Sequence, residues 1–289
     1  MKPHIILLAI ATAALIARPA IAADPPDVEV REDIEYGAAG GEKLLLDLAA
    51  PKGLDRAVPG LIFIHGGGWT GGGKEAFIGQ VKNVATHGYV TVTIDYRLAP
   101  KHLFPAQVED CKCAVRWMRA HAKELNIDPD RIGAIGGSAG GHLAMMLGTM
   151  DKDDGLEGEG GWAEYSSKVQ AVVSYFGPTN LLGDYPPRSQ EIVRQFIGGG
   201  KEEREADYRL ASPITHVTAD DAPMLLFQGT KDSLVPFDQA VVMAAALSDA
   251  AVPGRIEILV GRDHGWGGTE MVRTSQAALA FFAEVLGKP

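Results

Sequence analysis

The sequence predicts an α/β domain in which a mostly parallel sheet carries helices on both faces. Three observations lead there. Short, almost wholly apolar runs recur at 61–64, 131–135, 169–176, 224–228 and 256–260, as strands buried on both faces require. Segments of helical period alternate with them, the pattern of strand–helix–strand crossovers and hence of parallel pairing. The chain of 289 residues is 46% hydrophobic and shows neither an internal repeat nor a second core pattern, so one sizeable core accounts for it.

Residues 1–23 read as a secretory signal peptide. Lys2 and His4 precede an apolar run from Ile5 to Ala17, and Ala20-Ile21-Ala22 supplies the small residues a signal peptidase needs. The run is shorter than the roughly 20 residues of a membrane span, so cleavage after Ala22 or Ala23 and export to the periplasm or medium are expected. Losing Lys2 and Arg18 takes the basic count from 27 to 25 against 37 acids, a net charge of −12. Such a chain is a poor partner for nucleic acid or anionic lipid and does not draw polyanions from a distance.

The mature chain, one domain over 24–289, starts with a disordered lead-in over 24–27. Antiparallel strands over 28–36 and 43–48 follow, joined through Gly37-Ala38-Ala39-Gly40-Gly41. The buried strand 61–64 ends in His65-Gly66-Gly67-Gly68-Trp69. A helix over 74–87 and a strand over 89–96 come next. Pro105 opens a long helix with a stripe of Val108, Cys111, Val115, Met118, Ala122 and Leu125, ended by 126–130. Cys111 and Cys113 lie two apart on that helix and point to different faces, so they do not bridge each other. The later strands are separated and closed by helices over 236–248 and 270–286. Two inserts interrupt the alternation. Residues 151–167 follow a helix C-terminus, away from strand carboxyl ends, and read as a solvated acidic loop; a calcium loop would place its glycine elsewhere. Residues 178–223 leave the carboxyl end of a strand and, with a short helix near 190–197, are expected to roof whatever site lies there.

That site is expected at the corner after residue 135. Gly136-Gly137-Ser138-Ala139-Gly140 matches G-x-S-x-G between an apolar strand and an amphipathic helix marked by Leu143, Met146, Leu147 and Met150. Glycines beside the serine permit a bend that any Cβ would obstruct, and the bend presents the hydroxyl above a helix N-terminus. A plain glycine-rich turn has the same letters, so the rest of the site decides. A serine hydroxyl needs a base, and the base a carboxylate. Asp232, in Gly229-Thr230-Lys231-Asp232, and His264, in Arg262-Asp263-His264-Gly265-Trp266, each lie just past a strand end on the edge that carries Ser138. Asp263 is the rival carboxylate, but its adjacency to His264 suits a loop cap better. Asp95 and Asp220 read as structural. His87 and His102 lie in surface connections and His121 within a helix. The N–H groups of Gly67, Gly68 and Ala139 are candidates for an oxyanion hole, loss of one donor of which costs roughly 10²–10³ in rate. His65 would brace that loop. Trp69, Tyr175 and Trp266 could line a substrate pocket or equally well belong to the core.

His65-Gly66-Gly67-Gly68-Trp69, Asp95-Tyr96-Arg97-Leu98-Ala99-Pro100, Gly136 to Ala144 and Ala211-Ser212-Pro213-Ile214 together resemble the α/β-hydrolase esterases, from about Val28 to the C-terminus. The nearest groups are the bacterial feruloyl/acetyl-esterase-like and hormone-sensitive-lipase-like enzymes. The resemblance implies an α/β-hydrolase fold, Ser138, Asp232 and His264 as triad, Gly67, Gly68 and Ala139 as oxyanion hole, and no metal or organic cofactor. The two-helix N-terminal cap of hormone-sensitive-lipase-like members is missing, which favours the feruloyl/acetyl group. The expected activity is a secreted serine carboxylesterase acting on short acyl esters, acetyl or feruloyl esters of carbohydrate among them. Amide hydrolysis, as by an arylformamidase or a peptidase-like enzyme, and a non-catalytic binding protein of the same fold are the alternatives.

Overall fold

The computed structural model describes residues 26–152 and 154–289. The expected signal peptide lies outside them. Strand β1 (Val28–Ala39) turns through Gly40 and Gly41, both at positive φ, and pairs antiparallel with β2 (Glu42–Pro51). The remaining strands are β3 (Val58–Ile64), β4 (Val90–Ile94), β5 (Ile127–Gly137), β6 (Ala171–Tyr175), β7 (Met224–Gly229) and β8 (Gly254–Leu259). The sheet order is β1-β2-β4-β3-β5-β6-β7-β8, antiparallel as far as β4 and parallel beyond it.

Eight helices are described: α1 (Ile78–Ala85), α2 (Ala106–Ala120), α3 (Ala122–Leu125), α4 (Ala139–Thr149), α5 (Pro187–Ile197), α6 (Glu205–Leu210), α7 (Asp238–Asp249) and α8 (Thr269–Val285). Alternate strand residues serve opposite layers, as the strand period of two dictates. Ile62, Ile64, Ala134, Val172 and Leu226 pack with Val115 and Met118 of α2, Leu143 and Met146 of α4 and Met243 of α7. Their neighbours Leu61, Phe63, Ile135, Val173 and Phe227 pack with Val81 of α1 and with Ala278 and Phe282 of α8. Among the described residues no helix is long and apolar enough to cross a membrane.

Several boundaries differ from the sequence expectation. The helix over 105–125 is two: the chain leaves helical geometry at His121, and left-handed Asn126 ends α3. Strand β5 begins at Ile127, within residues read as the end of that helix. The helix over 74–87 begins instead with a 3₁₀ turn, Lys74–Phe77. There the Lys74 ammonium is drawn inward between Asp33 and Asp47, each at 2.9 Å. Cys111 and Cys113 are both free and buried, and burial pushes the Cys113 thiol up to about 11.

The 151–167 insert is not simply a solvated loop. Lys112 of α2, fully buried, donates to the carbonyls of Asp151 and Gly155 and to the half-buried Glu157 carboxylate, which also takes Arg116. A protein cation therefore holds this acidic loop against α2. Among the described residues no cluster of three or more His, Cys, Asp or Glu could hold a metal ion.

Candidate active site

Ser138 occupies the turn between β5 and α4 at φ 56° and ψ −123°, a backbone state costly for any residue with a Cβ. The backbone holds it there: its N–H donates to the Tyr175 carbonyl at 2.9 Å, and its carbonyl accepts from His142 N–H in the first turn of α4. The neighbouring glycines are steric requirements. A Cβ on Gly136 would lie 2.3 Å from the Gly140 carbonyl oxygen, and one on Gly140 would lie 2.0 Å from that of Ile64. These obstructing atoms are backbone, one in the first turn of α4 and one at the end of β3, and cannot swing away. Gly140→Ala is therefore expected to destabilise the protein by about 3 kcal/mol and lower Tm by roughly 10 °C in a thermal melt.

The carboxyl ends of β7 and β8 bring the partners to this turn. Ser138 Oγ lies 2.9 Å from His264 Nε2, and His264 Nδ1 lies 2.8 and 3.0 Å from the two Asp232 oxygens. A carboxylate only accepts, so Nδ1 carries the proton and Nε2 is free to take one from the serine. The Asp232 side chain is fully buried and saturated with donors. Its Oδ1 accepts from the backbone of Leu234 and Val235, and its Oδ2 accepts from Gln228 Nε2 at 3.0 Å. Asp263 turns away from the imidazole. Its Oδ1 accepts from the N–H groups of Ser233 and His264 and from the Ser233 hydroxyl, tying the two loops together. These hydrogen bonds hold its carboxyl below the usual range.

The loop after β3 folds back on itself, the Gly67 carbonyl accepting from the N–H groups of Thr70 and Gly71. That curl needs Gly67 at φ 111° and Gly68 at φ 60°; a Cβ on Gly67 would strike the Gly71 carbonyl at 2.1 Å. Among the described residues, the N–H groups of Gly67, Gly68 and Ala139 meet no protein acceptor. All three residues line the cleft that holds Ser138 and His264. His65 lies beneath the loop, its Nδ1–H donating to the Gly66 carbonyl at 2.7 Å and its ring stacked on Tyr96 at 4.2 Å. Burial lowers its pKa, favouring the neutral ring. Asp95 accepts from Lys74 N–H beside it, and Asp220 pairs with Lys168 at the surface.

The cleft encloses about 720 Å³. The 178–223 insert contributes Pro178, Tyr185, Arg188, Ser189, Ile192 and Val193 to its wall. Of the three aromatic candidates, only Trp69 reaches this cleft. Its ring is 3% exposed and stacked on Phe196 at 4.2 Å, so its main contacts are with the core. Tyr175 and Trp266 do not line it. Tyr175 packs on Phe227 in the opposite layer, beside a separate apolar hollow between α1 and α8. Trp266 is tied to Thr274 and lies edge-on to Phe176. The strand period explains the exchange: Tyr175 is the last inward residue of β6, whereas Phe176 has left the strand at φ 42° and reaches the cleft, its ring 4.6 Å from that of His264.

His142 is completely buried between the nucleophile helix and the insert. Trp69 Nε1–H donates to its Nδ1 at 3.3 Å, which leaves its Nε2–H to donate to the Ala211 carbonyl at 2.6 Å. Burial lowers its pKa from 6.5 to about 4. The unfolded chain thus binds a proton that the fold refuses between these values, and the contribution is present above pH 6.5 and lost as pH falls towards 4. At 1.36 kcal/mol per pH unit this amounts to about 3 kcal/mol. His142→Gln should be less stable than wild type at pH 7 in chemical denaturation, with the gap narrowing by up to about 3 kcal/mol by pH 4.

A protein-family model described as BD-FAE matches residues 46–247, most of the chain. The chain belongs to the BD-FAE family. The matched span contains Ser138 and Asp232, with His264 beyond it. Among curated relatives, the chain is 36% identical over 220 residues to a probable carboxylic ester hydrolase, LipM, of Mycobacterium tuberculosis, covering 72% of this chain and 49% of LipM. The chain spans about half the length of such curated relatives. Among solved structures, a truncated carbohydrate esterase from gut microbiota superposes with a TM-score of 0.80 at 27% identity, covering 92% of this chain and 99% of that one. An esterase of the planctomycete Thermogutta terrifontis, solved with butyrate bound, superposes with a TM-score of 0.76 at 30% identity, covering 92% and 96%. Sheet order and neighbours together make this an α/β-hydrolase fold.

In this BD-FAE chain the cleft also takes in Phe77, Phe176, Arg188, Leu234 and Val235, which the sequence does not single out. Only Phe176 carried a signal, as the residue immediately after a strand beside the serine turn. The others lie on segments whose orientation depends on packing.

Proposed function

We propose that this protein is a serine carboxylesterase acting on short acyl esters, with acetyl or feruloyl esters of carbohydrate as the substrate class. The observation that carries the reading is the hydrogen-bonded series Ser138–His264–Asp232 opening on a cleft walled by Gly67 and Gly68. Ser138 Oγ attacks the ester carbonyl while His264 Nε2 takes its proton. The oxyanion is met by the N–H groups of Gly67, Gly68 and Ala139, and imidazolium by the buried Asp232 carboxylate. His264 then protonates the departing alcohol. Water, deprotonated by the same nitrogen, attacks the acyl-Ser138 carbonyl and releases the acid and the free serine. The relatives named above support the ester class, and the carbohydrate esterase among the neighbours supports the sugar-bound form.

Hydrolysis of p-nitrophenyl acetate, together with mass-spectrometric detection of Ser138 labelled by a fluorophosphonate, tests the reading. Turnover and a single adduct on Ser138 are expected. Cleavage of a formylated aryl amine without cleavage of acyl esters would replace it by the amide-hydrolase reading. Absence of both turnover and adduct would refute catalysis. We further propose export to the periplasm or medium, supported by the apolar run and A-x-A site near the N-terminus. N-terminal sequencing of protein from the secreted or periplasmic fraction should begin at Ala23 or Asp24; full-length protein confined to the cytosol would disprove it.

A further inference from the structure

Arg188 stands apart from the other polar side chains around the cleft. Tyr185 donates its hydroxyl proton to Gln239 at 2.7 Å, Ser189 to the Leu234 carbonyl at 2.7 Å and Thr70 to the Gly67 carbonyl at 3.3 Å. No carboxylate is among the described residues lining the cleft, and Arg188 is the only arginine or lysine among them. Elsewhere in the fold arginines are engaged: Arg97 by Asp110, Arg116 by Glu157, Arg194 by Glu191, Arg209 by Glu205 and Arg273 by Glu257, while Arg119 donates to backbone carbonyls. Among the described residues only Arg188 and Arg262 have guanidiniums without a protein partner, and Arg262 does not line the cleft. The placement of Arg188 does not favour stability either. It lies in the first turn of α5, where a cation opposes the helix dipole and no acidic residue offsets it.

From this we infer that Arg188 is a specificity-determining residue that selects esters bearing a carboxylate close to the scissile bond. The inference rests on the esterase reading above and deepens it. A guanidinium only donates, in a planar fork that matches a carboxylate with two parallel charge-assisted bonds. A neutral sugar or alkyl ester would leave that fork facing water. The chain's net charge of −10 supplies no long-range attraction for anions, so recognition depends on contact within the cleft. The carboxylate could belong to the acyl part, as in a half-ester of a dicarboxylic acid, or to the alcohol part, as in a uronate.

Two matched pairs distinguish these sources. Monophenyl glutarate against phenyl pentanoate places the charge on the acyl side, and 4-acetoxybenzoate against phenyl acetate places it on the alcohol side. Each is followed by pH-stat titration with wild type, Arg188→Gln and Arg188→Lys. In one pair the ratio of kcat/KM for the anionic over the neutral member should fall at least tenfold in Arg188→Gln, mainly through KM. Arg188→Lys should keep part of it, and 0.5 M NaCl should erode the wild-type ratio. The pair that responds identifies the source. Ratios unchanged by Arg188→Gln in both pairs would overturn the inference while leaving esterase activity established. Wild type that hydrolyses none of the four would overturn the esterase reading, and the inference with it. The Arg188 side chain is exposed and makes no bond in the fold, so the variants are expected to fold; fluorophosphonate labelling of Ser138 checks the site in each.

Discussion

Ser138→Ala is expected to lower kcat for p-nitrophenyl acetate about 10⁶-fold, to a residue of activity supplied by binding and the oxyanion donors. The size follows from the way the site is joined. His264 Nε2 has one proton to receive, from an oxygen 2.9 Å away, and without that oxygen the imidazole and Asp232 have no nucleophile to activate. Steady-state kinetics with active-site titration check it, and a loss of less than a hundredfold would mean that another group attacks. The fold should not suffer. Ser138 holds φ 56° and ψ −123°, a conformation that glycine adopts without penalty, so Ser138→Gly should abolish turnover and raise stability by about 1–2 kcal/mol in chemical denaturation. A turn strained at the residue that needs exposure is the expected sign of function overriding stability.

Asp232→Asn is expected to lower kcat about 10⁴-fold with little change in KM. The reason is specific to the neighbours. Asp232 Oδ2 accepts from both Gln228 Nε2 and His264 Nδ1, while Oδ1 accepts from two backbone N–H groups. An amide keeps one acceptor oxygen, which the Leu234 and Val235 N–H groups hold, so its NH₂ is turned towards two donors. That NH₂ no longer accepts from Gln228 Nε2–H, and it keeps a bond to His264 only if the imidazole moves its proton to Nε2, the nitrogen that must be bare to activate Ser138. NMR of the imidazole N–H protons should show the downfield Nδ1–H signal of wild type lost in the variant. Its retention, with full activity, would mean that another carboxylate orients the ring. Asp263 is the nearest alternative, yet its Oδ1 is committed to Ser233 and to the His264 backbone.

What could be read from the residues, and what could not, divides along one physical line. The apolar runs of β3, β6 and β7 and the glycine-flanked serine are local statements: a strand buried on both faces must be apolar throughout, and a bend that admits no Cβ must be glycine. The motif letters also had local explanations that the fold makes visible. Tyr96 underlies His65, Arg97 grips Asp110, and Ala211 receives His142, each bracing a loop next to the cleft. Tyr175 and Phe176 mark where such local rules end. Both are aromatic, both stand at the end of β6, and nothing in their order says that one stays in the sheet layer while the other swings under His264.

The residues alone therefore settled the layers, the edge of the sheet at which Ser138, His264 and Asp232 gather, and which three groups meet there, because each depends on a residue's own backbone freedom or on strand direction. Tertiary structure alone decided the wall of the cleft, the burial of Trp69, the capture of the 151–167 loop by Lys112 and Arg116, and the unpaired guanidinium of Arg188. Those depend on which side chains from distant segments compete for the same space or the same charge, and that competition exists only once the chain has closed on itself.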